Sequence, residues 1–276
     1  MSLSEIRFGW HPDVPDYRDW VIDQHPEANK LFPQPMGLLS GISLPSKVDL
    51  RAYCSPIENQ GRLGSCTAQA GVGLVEFLER RALGRHVDGS RLFVYKTTRN
   101  LLGWTGDTGA YVRTTLKALA KFGVCPERYW PYVIADFDQE PSSFAYAYAG
   151  TARALRYFRI DTGGRSSTDV LELVKMVLSY RYPVAFGYPV YVWGNDQGEI
   201  RMPRPGDRLM GGHAIMAVGY DDNRQIEASG PGALRIRNSW GTGWGQAGYG
   251  WLPYNYILEH LARDFWVITA QDYLND

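Results

Sequence analysis

Residues 235–250 read RIRNSWGTGWGQAGYG. A short run ending in Arg-Ile-Arg stops at Asn238, a turn built on Gly241, Gly243, Gly245 and Gly248 follows, and the aromatic run YGWLPY comes next. Glycine adopts backbone conformations that other residues resist, so this punctuation predicts strand, turn, strand. Taken by itself the segment has two readings. It is a β-hairpin with a Gly-Trp turn, or it places the Asn238 amide at a strand end, where it can orient another polar group.

Upstream, YPVAFGYPVYVW and HAIMAVGYDD are also short β-branched and aromatic runs broken by Gly, Pro and Asp-Asn turns. Before about residue 180 the texture is helical. A helix is predicted from Ser65–Cys66, with Ala68, Val72 and Val75 on one stripe and Ala70, Leu74, Phe77 and Leu78 on its neighbour. Others are predicted over Tyr111–Phe122, ending at Gly123, and over Ser167–Ser179. Gly71 and Gly73 cost the first helix roughly 1 kcal/mol each against alanine, which points to another backbone packed closely there. Helices first and strands later predict an α+β fold. The expected divisions are a Pro-rich arm over 1–43, a mainly helical domain over 44–150 and a mainly β domain over 151–276, with a cleft between the last two. Prolines at 12, 15, 26, 33 and 35 forbid a long helix in the arm.

Charge excludes some classes of function. Lys+Arg and Asp+Glu both number 29, so no net field steers the chain to nucleic acid or to an anionic membrane. The opening MSLSEIRFGWHPD lacks the apolar core of a signal peptide, and no long apolar run appears, so a cytoplasmic rather than secreted chain is expected. No CxxC or HExxH spacing calls for a metal, and no cofactor is expected. Three cysteines leave at least one thiol free, while Cys54 and Cys125 are a candidate bridge.

Cys66 starts the first helix, and three readings compete for it: a packing residue, half of a disulfide, or a thiolate stabilised by the helix N-terminus. A nucleophilic thiol needs a base. Of five histidines, only His213 opens an apolar strand, after Gly211–Gly212. Asn238 can accept the imidazole N–H and fix the ring without adding charge, and Trp240 can cover that bond from water.

The three segments QGRLGSC, GGHAIMAVGY and NSWGTGWGQAGYGW occur in this order, and together they resemble the papain-like cysteine peptidases over roughly residues 44–255. The resemblance implies a helical left domain and a β-barrel-like right domain with the active site in the cleft. It implies Cys66 as nucleophile, His213 as base, Asn238 as the orienting residue, and Gln60 with the Cys66 N–H as donors to an oxyanion. It further implies an endopeptidase working through a thiolate–imidazolium pair and an acyl-enzyme, on peptide or protein substrates, as a monomer. In GDTGAYV, Gly109 and Ala110 match the segment that pairs with substrate backbone. By the same match Tyr111, Val112, Gly211, Gly212 and Ala214 surround an apolar, roomy pocket for the second residue before the cleaved bond, and Trp240 flanks the site.

The chain departs from the family where CGSCW becomes Leu63-Gly64-Ser65-Cys66-Thr67, which removes a disulfide half and an aromatic. This and the other missing framework cysteines fit a bacterial-type enzyme. The arm is read first as a surface strand completing the fold, second as a short inhibitory strap contacting the cleft, and third as a partner-binding tail. Three rivals stay open: a different Cys–His acyl transferase, a catalytically silent papain-like binding module, and an exopeptidase whose cleft is blocked by the Trp193–Leu209 insertion.

Overall fold

The computed structural model describes residues 6–32, 43–191, 194–195, 197–227 and 229–271. Along the chain these form α1 (Pro26–Leu31), β1 (Lys47–Asp49), α2 (Cys66–Leu83), α3 (Arg91–Leu102), α4 (Val112–Lys121), α5 (Ser143–Ala149) and β2 (Ala154–Arg159). There follow α6 (Ser167–Ser179), β3 (Val184–Val190), β4 (Gly211–Gln225), β5 (Pro231–Arg237), β6 (Tyr249–Pro253), α7 (Asn255–Leu258) and β7 (Arg263–Gln271). The described strands make one antiparallel sheet in the order β2-β7-β3-β4-β5-β6, and β1 adds to β4. This is the α+β arrangement that the order of sequence textures predicts.

Helix α2 is the hub between the helices and the sheet, and it is buried on all sides from Cys66 to Glu79. It ends on Gly84, whose φ of 72° lets its N–H reach back to the Arg80 carbonyl. The helix glycines serve side chains rather than a neighbouring backbone, which corrects the sequence reading. A Cβ on Gly71 would meet Thr115 and Leu119 of α4, and one on Gly73 would meet Met216 of β4 and Arg237. Glu76, buried on the same helix, is held ionised against the cost of burial by Arg91 at 2.6 Å and by the Gly89 N–H and the Ser55 hydroxyl. Helix α3 escapes a periodicity reading because nearly all of it is buried, so it has no polar stripe; its start is marked only by Ser90, whose hydroxyl accepts the Phe93 N–H. All three cysteines are free thiols, so the Cys54–Cys125 bridge is not formed.

The arm is two structures in one segment. Its second half belongs to the body of the protein: the Ile22 N–H donates to Arg159 O and the Arg159 N–H to Trp20 O at the edge of β2, and Ile22, Ala28 and Phe32 are fully buried. Phe32 sits edge-on to Tyr180 and Tyr182. Its first half leaves the surface and enters the cleft. Residues 20–22 thus run beside β2 and residues 26–31 form α1, while residues 6–13 run through the cleft. The described part of the 193–209 insertion pairs with the outer edge of the sheet instead, through Ile200 N–H to Trp251 O and Trp251 N–H to Gly198 O, each 3.0 Å.

Candidate active site

Cys66 and His213 come from opposite sides of the cleft. Cys66 is the first residue of α2, and the backbone N–H of Ala214, next to His213 on β4, approaches its sulfur. On His213, Nε2 faces Asn238 Oδ1 at 2.8 Å, while Nδ1 is buried without a hydrogen-bond partner among the described residues. Asn238 follows β5 directly and is fixed twice, by its own N–H to Gly248 O at 3.0 Å and by the Ser239 N–H on its Oδ1 at 2.8 Å. Only the side-chain carbonyl then faces the ring, so Nε2 carries the proton and Nδ1 keeps its lone pair. Trp240 stacks on the imidazole with centroids 4.6 Å apart at 23° and covers the bond from water.

Gln60 precedes α2 and is held from three directions. Its N–H donates to Ser239 O at 2.9 Å, its Oε1 accepts from Ser239 Oγ at 2.7 Å, and its Nε2 donates to Leu63 O at 3.0 Å. The remaining Nε2 proton is presented to the cleft. Sequence reasoning missed two supports. Ser239 is one; the other is Tyr132, whose hydroxyl donates to Gln60 O at 3.0 Å and lies 2.6 Å from Ser65 Oγ. Because the Ser65 hydroxyl is turned to Tyr132, it does not cap α2. The first N–H groups of the helix stay open to charge at the Cys66 sulfur. The Tyr-Pro-Tyr-like end of the segment after α4 was the available signal for Tyr132.

The cleft is occupied by the arm. Gln60 Nε2 donates to Arg7 O at 3.0 Å, Ala110 N–H to Gly9 O at 2.7 Å, His11 N–H to Ala110 O at 3.1 Å, and Trp10 N–H to Gly212 O at 3.0 Å. The Gly9 backbone N–H also approaches the Cys66 sulfur. Gly109 and Gly211 are glycines for close approach: a Cβ would fall 2.2 Å from Gly9 O at the first and 2.6 Å from the Phe8 side chain at the second. Phe8 stands edge-on to both His213 and Trp240. Ala110, Val112 and Ala214 are buried, whereas the Tyr111 ring packs on His11 and Trp104. Asp264, from the start of β7, lies buried at the end of the Trp10 side chain.

Burial under the arm pushes the Cys66 thiol up to about 11, against the backbone N–H groups that favour the thiolate. It drives His213 down to about 4, with the Asn238 bond opposing. Burial therefore disfavours the thiolate–imidazolium pair in this arrangement, because charges under the arm have no water to solvate them.

The geometry of a buried cysteine at a helix start, a histidine held by an asparagine and a glutamine amide aimed at the cleft agrees with known proteins. The family model for the papain family cysteine proteases matches residues 44–260. The chain belongs to this family. An uncharacterized peptidase C1-like protein of Acanthamoeba polyphaga mimivirus is 35% identical over 284 residues, covering 97% of this chain and 89% of that protein. Among solved structures, xylellain, a cysteine protease from Xylella fastidiosa, is 34% identical and superposes with a TM-score of 0.75 over 95% of this chain and 96% of that one. Papain of Carica papaya is 27% identical over 213 residues, 75% of this chain but 54% of that protein. This papain-family chain is accordingly a hydrolase, a cysteine peptidase, with a papain-like α+β fold. No described helix is long and apolar enough to cross a membrane.

Proposed function

We propose that this papain-family protein is an endopeptidase held latent by residues 6–13. The observation that carries the reading is the Arg7 carbonyl on Gln60 Nε2 beside Cys66, because a peptide carbonyl already occupies the position where an oxyanion would form. Cys66 is the nucleophile and His213 Nδ1 takes its proton; Asn238 holds the ring, and Gln60 Nε2 with the Cys66 N–H receives the oxyanion. Attack on the substrate carbonyl expels the amine, protonated by His213, and water then releases the acyl-enzyme.

The direction of the arm supports latency. It pairs in parallel with Ala110 through Gly9 and His11, and its earlier residue, Arg7, lies at Gln60. A substrate whose second residue before the cleaved bond pairs at Ala110 must reach Gln60 later in its sequence. The arm therefore runs backwards through the cleft and presents its bonds in the wrong order. Pairing of residues 198–200 of the insertion with β6, the outer edge of the sheet, supports an endopeptidase over an exopeptidase.

The reading is tested by displacing the arm in the full chain with Gly9→Ala and digesting long unblocked peptides, with products identified by mass spectrometry. Internal cuts that vanish in Gly9→Ala/Cys66→Ala are expected. Release of single residues or dipeptides from one end alone would replace the endopeptidase reading with an exopeptidase one. A chain with accessible Cys66 and no cleavage of any peptide would favour the silent binding module.

A further inference from the structure

Resting on the peptidase reading, we propose that Asp107 is a positioning residue: one oxygen of its carboxylate fixes the loop that carries Cys66 to the segment that pairs with substrate backbone. All three cysteines are free thiols, so no disulfide ties these two segments together. A chain of hydrogen bonds does so instead. Asp107 Oδ1 accepts the Gly64 N–H at 3.0 Å and the Tyr95 hydroxyl at 2.7 Å, and the Tyr95 oxygen accepts the Gly109 N–H at 3.0 Å. The chain thus joins a point two residues before the nucleophile to a point one residue before Ala110.

Each link suits that task. Gly64 admits the carboxylate, since a Cβ there would stand 3.0 Å from Asp107 Oδ1. Tyr95 comes from α3 and is fully buried, and burial together with the neighbouring carboxylate pushes its ionisation up, so the hydroxyl keeps its proton. It therefore donates to Asp107 and accepts from Gly109 at once. Arg99, one turn later on α3, lies over the Tyr95 ring at 4.3 Å and donates to Gly106 O at 2.6 Å, which anchors the start of the same segment. The Gly64 bond sets the path into Cys66, whose N–H receives the oxyanion, and the Gly109 bond sets Ala110, whose backbone holds the substrate. The other carboxylate oxygen lies 3.9 Å from Arg7 Nε of the arm and takes part in neither bond.

The test separates the two bonds in the full chain with the arm displaced by Gly9→Ala. Two substrates are compared, a peptide long enough to pair at Ala110 and a blocked single-residue ester that ends short of it. Tyr95→Phe removes the Gly109 acceptor and leaves Gly64 on Asp107, so KM for the peptide should rise about tenfold while its kcat and the ester rates hold. Asp107→Leu keeps the bulk and removes both bonds, so kcat should fall about tenfold or more on both substrates. Asp107→Asn keeps Oδ1 and should stay within about threefold of the parent. Alkylation of Cys66 by a small haloacetamide should be equal in all these arm-displaced chains, since no bond to the sulfur changes. With the arm in place, Tyr95→Phe should speed that alkylation at least about threefold, because Ala110 loosens its bonds to Gly9 and His11. Parental kcat in Asp107→Leu, an equal effect of Tyr95→Phe on peptide and ester, or altered alkylation in the arm-displaced chains overturns the proposal. If Asp107→Leu does not fold, Tyr95→Phe and Asp107→Asn decide it. Cleavage of neither substrate by the Gly9→Ala chain refutes the peptidase reading, and protection by the arm in Tyr95→Phe then decides the role of the Asp107 chain by itself.

Discussion

A single methyl group is expected to expose the active site. Gly9 crosses Cys66 so closely that a Cβ built on it would lie 1.8 Å from Gly64 O and 2.4 Å from Gly64 C. Both contacts are with backbone, which has no rotamer to change, so Gly9→Ala cannot dock as the parent does. In the docked state the thiol titrates at about 11, and about one molecule in ten thousand is ionised at pH 7. With the arm displaced, the helix N-terminus and the imidazole bring the sulfur into the range of paired thiolates, below about 7, where most molecules are ionised. The gain in thiolate is on the order of ten-thousandfold, and lower intrinsic nucleophilicity gives back about a hundredfold. The net prediction is alkylation of Cys66 faster by about a hundredfold at pH 7, before any gain in access.

The assay is haloacetamide labelling against pH, read on the Cys66 peptide, with Gly163→Ala as a control because a Cβ there meets nothing within 4 Å. The parent and control should label slowly and accelerate as pH rises toward the docked value, since the thiolate fraction grows only above neutrality. Gly9→Ala should label fast with a rise finished below pH 7. A folded Gly9→Ala chain with the parent's rate and pH profile would refute the claim that residues 6–13 mask the thiol.

Further outcomes follow from the same geometry. In the arm-displaced chain, Cys66→Ala should abolish peptide turnover with no loss of thermal stability. Asn238→Ala should lower kcat less than Cys66→Ala does, because His213 loses its orientation but keeps its base; an unchanged kcat would remove Asn238 from the mechanism. Tyr132→Phe should lower kcat about tenfold with KM and the Cys66 alkylation rate unchanged, since alkylation needs no oxyanion donors; a parallel fall in alkylation would point to general damage instead. Phe32→Ala should destabilise the fold by about 3–5 kcal/mol in urea unfolding, the usual cost of deleting a buried phenylalanine, while a change under 1 kcal/mol would contradict its place between Tyr180 and Tyr182.

The sequence by itself made legible the order of helical and strand textures and, through the resemblance of three segments to the papain-like peptidases, the candidate site residues. Cys66 at a helix start, His213 after a glycine pair and Asn238 before a glycine turn are all local patterns, because helix starts and turns are set by the residues at and beside them. Gln60 was read from the resemblance alone, by its place six residues before Cys66. Residues whose roles come from contacts across the fold were not legible. Tyr132 reaches Gln60 and Ser65 from a separate segment, and Asp264 meets Trp10 from the opposite end of the chain. Helix α3 was missed because burial on all sides erases periodicity. The arm shows the division most plainly. Its prolines and aromatics predict an extended segment, but nothing local distinguishes a strand beside β2 from a strap over Cys66. Its first half is placed by backbone bonds to Ala110, Gly212 and Gln60, and its second by burial of Ile22, Ala28 and Phe32. Only the folded surface supplies those partners, so whether the thiol is open or covered is decided by tertiary structure.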